Sequence, residues 1–84
     1  MEPQPQLNDV VDAILRYLAR YPDAADTVDG ICEWWLPIGW RVETHCVEAA
    51  LERLQEQGLV CRRENADRHV VYFSGTPRGQ RQPR

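Results

Sequence analysis

From Leu7 onward, apolar residues recur at helical spacing: Leu7, Val11, Ile14 and Leu18, with Val10, Leu15 and Tyr21 widening the stripe. That period predicts a first amphipathic helix. Asn8 or Asp9 can cap its start, and Pro22 stops it, because proline supplies no N–H and clashes with the preceding turn. The stretch "DTVDGICEWW" predicts a second, short helix over about residues 27–35. Asp26 or Thr27 can accept from its first free amides, and Asp29 complements the positive end. Val28, Ile31, Cys32 and Trp35 share one face before "LPIG" breaks the helix. A third helix begins at Glu43 or Thr44, with Val47, Ala50, Leu51 and Leu54 at i, i+3, i+4 and i+7. Gly58 suits the left-handed residue just past its end, and Leu59 can fold back onto it.

After Gly58 the period drops to two. "LVCRRE" and "HVVYF" are rich in β-branched and aromatic residues and flank a polar "NADR", which predicts a β-hairpin with its tip near Asn65–Arg68. Val70 and Tyr72 then point to one face, Val71 and Phe73 to the other. Residues 1–6, rich in proline and glutamine, and residues 75–84, which lack apolar side chains, predict disordered ends. One domain over residues 7–74 remains, without internal repeats.

Three helices, a glycine closing the third, and a hairpin after it make a recognisable series. Ala50, Leu51, Leu54, Gly58, Leu59 and Val60 carry it, and on them the chain resembles a winged helix-turn-helix domain. The resemblance implies an α+β fold: a three-helix winged helix-turn-helix with a C-terminal two-stranded β-hairpin as the wing. It also implies a DNA-reading arrangement. The third helix would turn His45, Glu48, Ala49, Glu52 and Arg53 toward the major groove, and the wing would offer Arg62, Arg63, Arg68 and His69 to the backbone.

Charge changes that picture. Residues 1–74 hold seven arginines against thirteen acids, a formal −6, while Arg78, Arg81 and Arg84 bring the 84-residue chain to −3. Glu48, Glu52 and Glu56 repeat every four residues and form an acidic stripe on the third helix, with Glu43 near its start. Phosphates would meet that stripe with like charge, although neutralising phosphates supplies most non-specific DNA affinity. The wing arginines suit phosphate or carboxylate equally, or cross-strand pairing with Glu64 and Asp67.

All three tryptophans fall in "EWWLPIGW". Trp35 belongs with the core face, Trp34 lies about 100° round the wheel at its edge, and Trp40 sits in the turn before the third helix. An accessible tryptophan beside arginine, as Trp40 is beside Arg41, has the composition of an interface anchor. The leading expectation is therefore a non-enzymatic protein-interaction module acting through Trp34, Trp40, Arg41 and the wing. The alternative is a DNA-binding regulator, working as a homodimer, through the third helix and wing.

Chemistry narrows little further. No Gly-rich phosphate loop, GxSxG or HExxH is present, and His45 and Cys46, as helix neighbours, point about 100° apart. Cys32, Cys46 and Cys61 form no CxxC pair and read as buried reduced thiols; no metal site or cofactor is expected. No apolar run approaches the ~20 residues needed to cross a bilayer, so a cytoplasmic protein without membrane contact is expected.

Overall fold

Asp9 sets where the first helix begins. In a computed structural model of the chain, which describes residues 6–75, α1 spans Leu7–Arg20 and is capped by Gln6 rather than Asn8 or Asp9. The Gln6 backbone N–H donates to Asp9 Oδ2 at 2.9 Å, so the acid works from the third helical position. Tyr21 closes the helix by donating its N–H to the Tyr17 carbonyl at 2.8 Å, and Pro22 follows.

A short strand the periodicity did not announce comes next. β1, Ala25–Asp26, is only two residues long. Asp26 then accepts from the Thr27 N–H at 2.8 Å, and Thr27 Oγ1 accepts from the Gly30 N–H at 3.2 Å. These bonds start α2, Val28–Gly30, which runs directly into a π-helical turn, Ile31–Trp35. The expected single α-helix over residues 27–35 is thus an α turn followed by a wider π turn. It ends where Leu36 becomes extended (ψ 155°).

α3, Thr44–Glu56, is capped by Glu43 and ends as the glycine predicts. Gly58 takes φ 76°, its N–H donates to the Gln55 carbonyl at 3.0 Å, and the Leu59 N–H reaches back to Leu54 at 2.9 Å. This pair of bonds is a Schellman motif, and it turns the chain into the sheet. β2, Val60–Glu64, pairs antiparallel with β3, Val70–Ser74, with Cys61 opposite Phe73 and Arg63 opposite Val71. At the tip Arg68 donates its N–H to Asn65 at 2.9 Å and adopts φ 72°.

The expected two-stranded hairpin is part of a larger sheet. β1 pairs antiparallel with β3, Ala25 opposite Phe73 and Asp26 opposite Tyr72, giving three strands in the order β1-β3-β2. The fold is therefore α+β, three helical segments against a three-stranded antiparallel sheet. β3 is central, which explains its continuous run of partly buried residues, while β1 and β2 form the edges of the sheet among the described residues.

Val10 and Ile14 of α1, Ile31, and Val47, Leu51 and Leu54 of α3 are fully buried. Trp35, Leu36 and Val60 close the core, and Tyr72 packs inward from β3. Two expectations fail here. Tyr21 leaves the apolar stripe and is 48% exposed, because α1 has already ended before it. Cys61 is exposed rather than buried, since it shares the outer sheet face with Phe73 while Val60 points in. The ends expected to be disordered lie outside the described residues, apart from Gln6, which caps α1, and Gly75, whose N–H donates to Leu59 at 3.0 Å. No described helix is long and apolar enough to cross a membrane.

Candidate interaction surfaces

α3 presents the face the sequence assigns to it. His45, Glu48, Ala49, Glu52 and Arg53 are all exposed, as are Glu43 and Glu56. Arg53, however, turns aside: its Nη1 donates to Asn8 Oδ1 at 2.9 Å and ties α3 to the start of α1. His45 Nδ1 lies 3.3 Å from Glu43 Oε1. The outward face is thus acidic, and its one arginine is engaged with a neighbouring helix.

Strand alternation divides the hairpin arginines between two faces. Arg62 lies opposite Tyr72 on the core-side face, and Arg63 lies on the outer face, its guanidinium 5.2 Å from the centroid of the Phe73 ring. Stacking on an aromatic face leaves the fork able to reach an incoming group. Asp67 takes His69 as partner. The His69 N–H donates to Asp67 Oδ1 at 3.2 Å, and the imidazole Nδ1 lies 3.0 Å from Oδ2. The backbone bond from His69 is the main reason the Asp67 carboxyl is held below its usual range.

The tryptophans separate, Trp34 standing further out than the stripe edge where the wheel puts it. Trp35 is 5% exposed and Trp34 69% exposed. Trp40 is half-buried against the core, with Arg41 exposed beside it. The turn adds a residue that sequence reasoning passed over: Ile38 stands wholly clear of the body at 101% exposure. The signal was present, since an isoleucine between proline and glycine has no element to bury it.

Two depressions flank these features. One, of about 360 Å³, lies between the starts of α2 and α3 and the hairpin tip, lined by Thr27, Asp29, Thr44, Glu48, Arg68 and His69 among others. There the predicted helix face and the predicted wing meet, with acids and bases mixed. Cys32 lies near the same acids: burial raises its thiol pKa, Asp29 and Glu48 add to that, and a hydrogen bond with Thr44 opposes it. A thiol so placed is a poor nucleophile at neutral pH. Among the described residues no group of three or more His, Cys, Asp or Glu is gathered as a metal site.

The second depression, about 260 Å³, lies between α1 and the Leu36–Pro37 segment. Ala13, Arg16, Tyr17, Arg20, Trp35 and Pro37 line it. Tyr17 stacks on Trp35 (centroids 4.8 Å apart, planes 12° apart) and meets Tyr21 at 4.7 Å, while the Arg20 guanidinium is 5.8 Å from the Tyr21 centroid. Sequence reasoning missed this cleft. Its trace was the i,i+4 repeat of Arg16 with Arg20 and of Tyr17 with Tyr21. Comparison of the chain with protein-family models, with curated proteins and with solved structures finds no match.

Proposed function

We propose that the chain is a non-enzymatic winged-helix module that binds another protein through the tryptophan-bearing π turn, the connection to α3 and the hairpin. The helix order, the glycine-closed α3 and the hairpin after it support the winged helix-turn-helix reading; the strand β1 adds to that pattern. One observation carries the function: Trp34 and Ile38 are 69% and 101% exposed within five residues of chain. Large apolar side chains grouped on the surface of a small domain mark a contact site, and tryptophan is prominent among binding hot spots. Arg41 is exposed beside them, and Trp40 braces the connection against the core.

Affinity capture with the intact chain tests the proposal. Trp34→Ala and Ile38→Ala should each release the partner held by the parent protein, with thermal unfolding unchanged, because exposed side chains contribute little to stability. A partner held equally by both variants would end the proposal. Trp40→Ala is the poorer probe, since its packing against the core couples binding to folding.

Duplex DNA, bound by a homodimer, is the second reading. Arg62, Arg63, Arg68 and His69 are all exposed on one hairpin and favour it, and His45, Glu48, Ala49 and Glu52 would then face the groove. The acidic face of α3 and the engaged Arg53 weigh the other way.

A further inference from the structure

The cleft between α1 and Pro37 differs from the rest of the body in its charge. The segment up to residue 74 carries thirteen acids, yet no carboxylate lines this cleft, whereas two arginines do. Arg16 and Arg20 stand one helical turn apart, which puts their Cβ atoms about 5–6 Å from each other. Arg20 leans over the Tyr21 ring, and the two ion pairs among the described residues both belong to histidines, so neither guanidinium has a described carboxylate within 4 Å. The floor is aromatic and held in place: Tyr17 lies against Trp35, which is anchored in the core at 5% exposure. Fixed rings beside guanidinium groups that no described carboxylate pairs suit an apolar side chain flanked by carboxylates, because each fork can take a carboxylate bidentately. At about 260 Å³ the cleft is small for a cofactor and sized for side chains.

We propose that this cleft receives an acidic peptide segment of the protein partner, an aromatic or leucine side chain entering over Tyr17 and Trp35 while neighbouring carboxylates meet Arg16 and Arg20. The proposal rests on the protein-interaction reading above and names the partner's chemistry. Carboxylates two residues apart on an extended peptide, or one turn apart on a helix, match the separation of the two arginines.

A random peptide library displayed on phage, selected against the full chain at low salt, tests this. Selected sequences should combine aspartate or glutamate with phenylalanine, tryptophan or leucine. A synthetic copy should shift the amide signals of Ala13, Arg16, Tyr17 and Arg20 and the indole signal of Trp35. Arg16→Gln with Arg20→Gln should raise its Kd at least ~10-fold, while Arg16→Lys with Arg20→Lys recovers part of the loss. Neutral or basic selected sequences would overturn the proposal, as would acidic ones indifferent to the Gln variant. If those peptides are still lost on Trp34→Ala, the module reading stands and only the cleft assignment falls. If no peptide is enriched at all, the cleft assignment falls, and capture with Trp34→Ala and Ile38→Ala decides the module reading separately.

Discussion

Gly58 holds φ 76°, and a Cβ built there would meet no atom within 4 Å. Gly58→Ala therefore isolates backbone strain from steric conflict. The left-handed conformation costs an L-residue about 1–2 kcal/mol, partly offset by the lower chain entropy of alanine when unfolded. The expected loss is about 1 kcal/mol, or a Tm lower by roughly 4–8 °C in a domain of this size. Thermal unfolding followed by circular dichroism measures it, and an unchanged Tm would mean that residue 58 does not hold the left-handed conformation in solution. This residue was legible in the sequence because a glycine after an i, i+3, i+4, i+7 run has one usual role. Tyr21 and Cys61 were not. Tyr21 lies just past the end of α1, and Cys61 is the second residue of β2, where a shift of one position at the strand's start changes which way a side chain points.

Elements were legible in proportion to their length. α1 and α3 span 14 and 13 residues and repeat their apolar spacing often enough to be unmistakable. β1 has two residues, too few for any period, and only its pairing with β3 makes it a strand. The π turn was hidden for another reason. Ile31 and Trp35 are four apart, so they fall near one face whether the turn is α or π, and the apolar pattern does not distinguish them. The hairpin was found, but its tip holds strain no pattern foretold: Arg68 takes φ 72° where glycine is usual. Arg68→Gly relieves that strain, about 1–2 kcal/mol, against the roughly 0.5–1 kcal/mol of entropy that glycine loses on folding. The net expectation is a gain of roughly 0.5–1 kcal/mol, read as a higher urea midpoint at unchanged slope. A lower midpoint would show that the Arg68 side chain contributes more to the tip than its backbone costs.

The whole molecule sets the charges against one another. Residues 1–74 sum to a formal −6, α3 turns Glu43, Glu48, Glu52 and Glu56 outward, and the exposed cations gather on the hairpin and along α1. A duplex approaching α3 would meet like charge over the length of the helix, and the hairpin alone offers few phosphate contacts. The sequence thus placed the tryptophan surface at Trp34, Trp40 and Arg41, beside an acidic body, but it did not show the cleft. The cleft at Arg16 and Arg20 exists only because the Leu36–Pro37 segment folds back along α1, a contact no local pattern encodes. An amide chemical-shift titration with a mixed-sequence duplex at low salt separates the readings, since a long Debye length favours any electrostatic binding. Residues 43–53 and 61–70 are expected to remain unmoved, with any response confined to the arginines at 78, 81 and 84. Shifts on both stretches, reversed by added salt, would make α3 and the hairpin a DNA-binding face. The acidic stripe would then act by excluding most sequences, since a glutamate in the groove accepts from cytosine N4 and is repelled where that donor is absent.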